Sequence, residues 1–184
     1  MTAPLDVPGL RLIPDWMGLE EATGLLTWID AQPWESPLQR RVQQYGAPYL
    51  YRARVVADRT STVPLPAPLA ALAQRLHQEG AYAEPPQQVI INEYTPGQGI
   101  SAHRDHPGFG PVVASLSLGG AVSMVFAQGD TRAELRLPTR GLLLLTGPAR
   151  TTWTHQIPAR RSDQVDGVRV PRTRRISLTF RTVP

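Results

Sequence analysis

The sequence predicts a mostly β protein with flanking helices, and three observations lead to that fold class. Seven short runs rich in β-forming residues follow one another after Pro86, and Gly or Pro separates them. Turn signals recur at a spacing of about 8–12 residues, which favours a sandwich or a barrel. Two helical patterns precede these runs. We therefore predict helices packed on the outside of a double-sheet jelly roll.

Residues 1–86 are predicted to contain a short strand and turn at Leu10–Trp16, a helix at Leu19–Trp34 and a strand at Tyr49–Val56. A second helix is expected near Pro68–Gln78, because apolar residues recur there at helical spacing and Gly80 suits its C-terminal end. The buried stripes expected for the two helices are Ala22, Leu25, Leu26 and Ile29, and Leu69, Leu72, Ala73 and Leu76.

Residues 87–184 contain the β-rich runs. Pro158–Pro171 is polar, basic and poor in strand formers, so we expect it to be an exposed loop near the site. Because composition does not change along the chain, both halves are assigned to one domain. The predicted strands are Gln88–Tyr94, Val112–Leu118, Ala121–Ala127, Ala133–Leu137, Gly141–Thr146, Thr151–Ile157 and Arg175–Arg181.

Composition excludes several classes of protein. The 184 residues are 41% hydrophobic, which is ordinary for a soluble globular domain. Without Cys, the chain has neither disulfides nor thiolate metal sites nor cysteine nucleophiles. No signal peptide is visible, and the longest leucine run, Leu142–Leu145, is too short to span a bilayer. We expect a cytoplasmic monomer without a membrane partner.

The net charge is +4, and every basic residue other than His is Arg. Residues 150–184 contain eight Arg and two Asp, and Arg pairs occur at Arg40-Arg41 and Arg160-Arg161. A basic surface favours polyanions such as nucleic acid. Charge alone supports a solvated loop surface equally well.

Three residues have the chemistry of a metal site. In an extended segment alternate residues point to the same side, so His103 and Asp105 face one way. His155 can add a second imidazole from another strand. Two histidines and one carboxylate with the other positions open are typical of non-haem Fe(II) oxygenases.

The C-terminal strand adds two arginines on one face. Arg175 and Arg181 are separated by about 20 Å along a strand, and Ser177 lies between them on that face. Because Arg binds carboxylates in a bidentate manner, this pair suits a short dicarboxylate such as 2-oxoglutarate. Upstream, Asn92 and Tyr94 share one strand face and can also hydrogen-bond carboxylate oxygens. The alternative is that Tyr94 is a core aromatic and Asn92 ends a strand.

Taken in order, these motifs resemble the AlkB family of Fe(II)/2-oxoglutarate dioxygenases. The resemblance covers nearly the whole chain. The stretch Arg40 to Gly46 is similar to the branch containing animal AlkB homologues that act on tRNA. The motifs are Asn92-x-Tyr94, Pro96-Gly97, His103-x-Asp105, Ser115-Leu-Ser-Leu-Gly119, Trp153-Thr-His155 and Arg175-Ile-Ser-Leu-Thr-Phe-Arg181, with Pro14-Asp15 and Gln32-Pro-Trp34 in the first half.

The resemblance implies a double-stranded β-helix (jelly-roll, cupin-like) core at 87–184, preceded by helices and a substrate-recognition segment at 1–86. It also implies Fe(II) and 2-oxoglutarate as cofactors and O2 as co-substrate. His103, Asp105 and His155 would bind the iron and thereby act as the catalytic residues. Arg175, helped by Tyr94, would bind the distal carboxylate of 2-oxoglutarate, whereas Arg181 and Asn92 would bind the carboxylate next to the keto group.

Two departures from the family pattern concern the substrate. Ser177 stands where repair enzymes commonly have Asn, and it still supplies one hydrogen bond. Pro107 stands where the repair prototype has an acidic residue that contacts the damaged base, and proline has neither a polar side chain nor an N–H. Substrate contacts are predicted at Arg40, Arg41, Tyr45 and His106, and Tyr49 or Tyr51 are further stacking candidates. For the tyrosines the alternative is a core position, and for His106 it is solvent.

Three functions follow. The leading hypothesis is oxidative demethylation or dealkylation of modified nucleobases in DNA or RNA, with a single strand or tRNA as partner. The second keeps the chemistry and changes the substrate to a tRNA wobble uridine side chain, a protein or a small molecule. The third is a non-enzymatic jelly-roll binding module.

Overall fold

The computed structural model describes residues 6–36, 39–50, 55–56 and 62–184, with backbone alone at 49–50 and 55–56. Its helices are α1 (Leu19–Asp30), α2 (Ala67–Gln78) and α3 (Gly147–Thr151). Its strands are β1 (Leu10–Ile13), β2 (Val42–Gly46), β3 (Tyr49–Leu50), β4 (Val55–Val56), β5 (Gln88–Tyr94), β6 (Ile100–His103), β7 (Val113–Gly119), β8 (Val122–Gln128), β9 (Thr131–Leu137), β10 (Leu142–Leu145), β11 (Thr154–Ile157), β12 (Ser162–Val165), β13 (Val168–Pro171) and β14 (Arg175–Arg181).

Two antiparallel sheets form the body of the protein. The major sheet has six strands in the order β1-β10-β7-β14-β5-β2, and the minor sheet has four in the order β6-β11-β8-β9. Strand β14 lies inside the major sheet, where Arg175 pairs with Tyr94 of β5 on one side and with Gly119 of β7 on the other. The predicted mostly β class with flanking helices is confirmed.

Strand β14 contributes to two different interiors. Its apolar face, Ile176, Leu178 and Phe180, packs in a core with α1 and α2. Its polar face points to the space between the sheets, where a second core is built from both of them. Each fully buried Leu, Ile or Phe contributes about 1.5–3 kcal/mol. The inter-sheet core includes Tyr94, Val113, Val122, Met124, Phe126, Leu137, Leu143, Leu145, Trp153 and Ile157.

The two long helices agree with their predicted stripes, but their ends differ. Helix α1 ends at Asp30 rather than at the predicted Trp34. Pro33 explains the early end, because proline lacks an N–H and disfavours helical backbone in the residue before it. Helix α2 carries Pro68 in its first turn, and Gly80 follows its end with φ +77°, as predicted.

Most predicted strands are confirmed to within two or three residues. The predicted run Thr151–Ile157 is shorter, because Thr151 belongs to α3 and β11 begins at Thr154. The predicted single strand Tyr49–Val56 is wrong, because its two described ends, β3 and β4, pair with each other as antiparallel strands, with Tyr49 opposite Val56. Residues 51–54 lie outside the described residues. Strands β2 and β6 were not predicted.

The prediction of a loop at Pro158–Pro171 is wrong. This segment contains the hairpin formed by β12 and β13. Asp166 and Gly167 connect the strands and both have positive φ, 49° and 78°. An Asp-Gly pair with this backbone is a favoured two-residue hairpin turn, so the signal was present in the sequence. In the described ranges, no helix has the length and apolar character needed to cross a membrane.

Candidate active site

A cavity of about 370 Å³ opens between the two sheets. The major sheet contributes Asn92, Tyr94, Ser177 and Arg181 to its wall. The minor sheet and the segment after β6 contribute the residues predicted to bind iron. Arg175 is not among the lining residues and lies buried beyond the wall. The apolar part of the lining is Ile90, Ile100, Phe109, Val113, Met124, Leu143, Leu145 and Ile157.

Strand pairing brings the two histidines together. His155 of β11 is directly opposite His103 of β6, and their ring centroids are 4.4 Å apart. The Nε2 atom of His155 lies 3.6 Å from Oδ2 of Asp105. His103 Nδ1 is 2.8 Å from the carbonyl oxygen of Ser101, which directs Nε2 toward the cavity and suits a metal ligand.

The charges of these groups also suit a metal. Burial lowers the pKa of His155 to about 4, so its imidazole is neutral at neutral pH and has a lone pair to offer. Although burial raises the pKa of Asp105, the Arg181 guanidinium beside it outweighs burial and holds that pKa well below its usual range. The site therefore presents the neutral imidazole of His155 beside an ionised carboxylate.

His103, Asp105 and His155 do not form a complete metal site in this structure. Within the described part of the chain, no three His, Asp or Glu side chains are placed so that together they could hold a metal ion. What the structure shows is the contact of His155 with both partners. The types of donor nevertheless fit Fe(II), because one buried carboxylate and two imidazoles line the same open cavity.

The guanidinium of Arg181 is hydrogen-bonded to Asp105, one of the predicted iron ligands, rather than to solvent. Its Nε donates to Oδ1 of Asp105 at 2.9 Å, and its Nη2 donates to the same oxygen. Its Nη1 donates to Oε1 of Gln88 at 3.2 Å, and its guanidinium carbon lies 4.7 Å from the Phe109 ring centroid. Arg181 therefore orients the carboxylate and leaves Oδ2 on the side of His155.

Arg175 is buried without a carboxylate partner among the described residues. It is 2% exposed, and its Nη2 donates to Oγ of Ser117 at 2.9 Å and of Ser177 at 3.4 Å. Its Nε and Nη1 are buried and have no hydrogen-bond partner. Burial lowers the pKa of Arg175 to about 10, which leaves it charged at neutral pH. A bound carboxylate would satisfy both nitrogens, so this position fits one end of 2-oxoglutarate.

Asn92 is held by one of the predicted substrate contacts. Nε of Arg40 donates to Oδ1 of Asn92 at 2.9 Å, and the Arg40 guanidinium lies 5.6 Å from the Tyr94 ring centroid. Because this bond uses the amide oxygen, the amide NH2 is the group directed elsewhere. Asn92 can therefore donate to a carboxylate while Arg40 fixes its orientation.

The four predicted substrate contacts separate into two groups. Arg40 and His106 line the cavity. Arg41 does not; it pairs with Glu93 at 2.6 and 2.7 Å. Tyr45 does not border it either, because its hydroxyl donates to Gln43 at 3.0 Å and its ring packs 5.8 Å from Trp28. The side chain of Tyr49 and the whole of Tyr51 lie outside the described residues.

Three residues of the site received no role from the sequence. Ser117 and Gln88 accept hydrogen bonds from the two arginines of β14, and Arg150 is buried beside Asp105. The motif Ser115-Leu-Ser-Leu-Gly119 contained a usable signal, since alternate residues of a strand share a face and Ser115 contacts Ser177 at 3.0 Å. No local pattern distinguishes Arg150 from a surface arginine.

A larger groove of about 1000 Å³ borders the other side of the segment that carries His103 and Asp105. Arg104 and Arg150 line it, and Asp105, already paired with Arg181, is its only carboxylate among the described residues. The groove and the cavity thus meet at the predicted metal ligands.

The chain belongs to the 2OG-Fe(II) oxygenase superfamily, whose family model matches residues 9–181. It is therefore an enzyme of that class, and the family implies Fe(II) and 2-oxoglutarate as cofactors. Within the superfamily its relatives are AlkB homologues, which confirms the resemblance found in the sequence.

Two relatives and one solved structure define this placement. The chain is 34% identical to the "Alkylated DNA repair protein ALKBH8 homolog" of Arabidopsis thaliana, covering 97% of this chain and 59% of that protein. It is 36% identical to the "tRNA (carboxymethyluridine(34)-5-O)-methyltransferase ALKBH8" of Mus musculus, covering 86% and 25%. The solved structure of OsALKBH1 matches with a TM-score of 0.68 at 18% identity, covering 95% and 97%, which confirms the jelly-roll fold. The chain thus spans about three fifths and one quarter of the two relatives' lengths.

Proposed function

We propose that this AlkB-family dioxygenase removes alkyl groups from modified nucleobases in single-stranded DNA or RNA. The observation that carries the proposal is the meeting of two features at one cavity. His103, Asp105 and His155 line it, and Arg175 lies behind the wall with two buried nitrogens that have no partner among the described residues. A metal and a dicarboxylate would complete both features.

His103, Asp105 and His155 are the proposed iron ligands. When bound together, Fe(II), 2-oxoglutarate and O2 supply the oxidation of a substrate C–H bond. An N-methyl group hydroxylated in this way separates into formaldehyde and the free amine. The contribution of the protein is to fix the ligands: Ser101 directs the His103 ring, and Arg181 directs the Asp105 carboxylate.

The 2-oxoglutarate contacts are assigned to β5 and β14. Arg175 would bind the distal carboxylate through its two unpaired nitrogens, with the Tyr94 ring 5.4 Å from its guanidinium carbon. Arg181 and the amide of Asn92 would bind the carboxylate next to the keto group, and Arg181 would share its charge with Asp105. The apolar lining contributed by Met124 and Leu143, among others, excludes water from the reacting atoms.

Three observations support a nucleic-acid substrate. The plant relative is named as an alkylated DNA repair protein. The groove beside the ligands is lined by the exposed Arg104, and its one carboxylate among the described residues, that of Asp105, is paired with Arg181. The net charge of +4 favours a polyanion. A single strand would avoid the cost of flipping a base out of a duplex.

Formaldehyde release tests this function. The protein with Fe(II) and 2-oxoglutarate is incubated with DNA and RNA oligonucleotides carrying 1-methyladenine, 3-methylcytosine or an etheno adduct. We expect formaldehyde from at least one methylated strand, and none from the His103→Ala variant. Succinate formation without loss of any of these lesions, in either nucleic acid, would contradict the dealkylation proposal while leaving the dioxygenase chemistry in place.

A second candidate function is hydroxylation of a tRNA wobble uridine side chain. Pro107 and Ser177 favour it, because both differ from the pattern of the repair enzymes. The name of the mouse relative also refers to a modified uridine at position 34 of tRNA, although the chain matches only a quarter of that protein. Mass spectrometry of tRNA nucleosides from cells with and without the gene tests this function, and identical nucleosides would contradict it. Membership of the oxygenase family sets aside the hypothesis of a non-enzymatic binding module.

A further inference from the structure

Arg150 is a buried cation without an ion pair in the described part of the chain. It lies in α3, five residues before His155, and is 5% exposed. All of its hydrogen bonds go to backbone oxygens: Nη1 donates to Asp105 at 3.0 Å, and Nη2 donates to His106 at 2.7 Å and to Phe109 at 3.3 Å. Its Nε is buried and has no partner.

Such an arrangement is unfavourable for stability in itself. A buried guanidinium that forms no ion pair among the described residues and has one unpaired nitrogen loses hydration that its partners only partly replace. An apolar side chain of similar volume would avoid that cost. We therefore look for the role of Arg150 in what it contacts. Its three acceptors are backbone carbonyl oxygens that all belong to one five-residue segment, the 105–109 turn.

The 105–109 turn carries a metal ligand at one end and an aromatic contact at the other. The turn is closed by the amide of Phe109, which donates to the carbonyl of His106 at 3.1 Å. Arg181 contacts both ends, since it donates to the Asp105 carboxylate and lies 4.7 Å from the Phe109 ring. Arg150 thus holds the backbone of the turn while Arg181 holds its side chains.

We propose that Arg150 is a further positioning residue of the iron site, beside Ser101 and Arg181. By fixing the carbonyls of the 105–109 turn, it sets the direction of the Asp105 carboxylate and the position of the Arg181 guanidinium. It contacts neither iron nor 2-oxoglutarate, and the inference rests on the proposed roles of Asp105 and Arg181. Lysine cannot replace it, because a single ammonium lacks the planar fork that reaches three carbonyls at once.

The test compares Arg150→Lys and Arg150→Gln with the wild type. Affinity for Co(II), a spectroscopic substitute for Fe(II), is measured by titration of its visible absorption, and KM for 2-oxoglutarate is measured separately from kcat by succinate formation. We expect both variants to bind Co(II) about 10- to 100-fold more weakly, the range found for residues that orient metal ligands. KM for 2-oxoglutarate is expected to rise as well, because the 105–109 turn no longer holds the Arg181 guanidinium in position.

Arg172→Lys is the matched control. Arg172 is also a buried arginine, 7% exposed, but it contacts Asp163 and the carbonyl of Pro158 rather than the 105–109 turn. Its variant is expected to lower the thermal midpoint without changing the Co(II) affinity of the folded protein.

The outcomes separate this inference from the proposed function. Folded Arg150 variants that bind Co(II) as tightly as the wild type would overturn the positioning role alone. Failure of both variants to fold would also overturn it, because Arg150 would then support the fold as a whole. A wild-type protein that binds no Co(II) would overturn the proposed iron site, and the positioning role with it.

Discussion

Two buried clusters of charge in this protein differ in how completely their hydrogen bonds are made. In the first, the fully buried Asp163 of β12 accepts hydrogen bonds at both carboxylate oxygens. Its donors are Arg160 and Arg172 at Oδ1, and Arg136, Arg172 and the amide of Ser123 at Oδ2, all at 2.7–3.1 Å. This Asp163 cluster joins the β12–β13 hairpin to β8 and β9.

The second cluster lies at the proposed iron site and remains incomplete. The structure's described part contains four buried side-chain nitrogens without a partner: Nε of Arg150, Nδ1 of His155, and Nε and Nη1 of Arg175. Those of Arg150 and His155 lie beside Asp105, and those of Arg175 lie behind the wall of the cavity. Because buried polar groups are normally hydrogen-bonded, a concentration of exceptions needs a cause. The comparison teaches that the Asp163 cluster satisfies its own buried charge, whereas the buried guanidinium of Arg175 has two nitrogens that the described residues leave unpaired.

The largest predicted effect is a loss of folding stability when Asp163, the centre of the Asp163 cluster, is removed. Asp163→Ala leaves Arg172 buried and Arg136 and Arg160 without their shared partner. Breaking a buried ion pair in this way destabilises a protein by about 3–5 kcal/mol. Urea unfolding monitored by circular dichroism measures this change. A loss below about 1 kcal/mol, or a loss of Co(II) affinity in the folded variant, would contradict a purely structural role.

The next effect is expected from removing a proposed iron ligand. His103→Ala should reduce succinate formation from 2-oxoglutarate by at least about 100-fold, since loss of a ligand exceeds the effect of altering its support. His77→Ala is the control, because His77 lies on α2 and contacts the carbonyl oxygen of Tyr82. Activity retained in His103→Ala, or lost equally in the control, would contradict the assignment.

Substituting Arg175 and Arg172 by Met should change the stability of the fold and the KM for 2-oxoglutarate in opposite ways. Arg175→Met removes a buried charge that has no carboxylate partner, so the ligand-free protein should be as stable as the wild type or more stable. Its KM for 2-oxoglutarate should rise by about 30-fold or more. Arg172→Met should destabilise the fold and leave that KM unchanged.

Thermal unfolding and succinate kinetics on the same preparations check these two variants. The distinction between the clusters would fail if both variants lost the same stability.

The smallest predicted effect is a pH dependence of the Asp163 cluster. Although burial raises the pKa of Asp163, its hydrogen bonds with Arg172 and Arg160 outweigh burial and lower that pKa from 3.8 to about 2. A carboxyl group with a lowered pKa stabilises the fold above its unfolded pKa. Its contribution, about 2 kcal/mol, should therefore be lost as the pH falls from about 4 to about 2.

Urea unfolding at several pH values measures this loss, with Asp163→Asn as the control. The variant should lose less stability than the wild type over that pH interval. Equal losses in the two proteins would show that other carboxylates are responsible.

Much of the site was predictable because alternation along a strand is a strong constraint. Placing Arg175, Ser177 and Arg181 on one face of β14 required only the period of two. Asp105 instead lies two residues beyond the end of β6, outside regular strand structure. The helix stripes and the order of the β-rich runs followed from similar periodicities. The β12–β13 hairpin was missed because its polar composition outweighed the Asp166-Gly167 turn signal.

The remaining features depend on partners distant in sequence. Arg150 contacts a turn about 45 residues earlier, and Asp163 joins arginines from three segments. The sequence does not distinguish such buried charges from solvated ones. Arg41 and Tyr45 were predicted as substrate contacts for the same reason, because the sequence does not reveal their distant partners. In the structure Arg41 contacts Glu93, and Tyr45 contacts Trp28.

Anaerobic titration of the protein with Fe(II) and 2-oxoglutarate tests most directly whether the two unpaired nitrogens of Arg175 mark a cofactor site. Visible charge-transfer absorption reports 2-oxoglutarate bound to protein-held iron, without any turnover. We predict a saturable absorption band in the wild type, no band in His103→Ala, and a band in Arg175→Met that requires about 30-fold more 2-oxoglutarate. Absence of the band in the wild type, or an unchanged band in both variants, would contradict the assignment of this cavity as the iron and 2-oxoglutarate site.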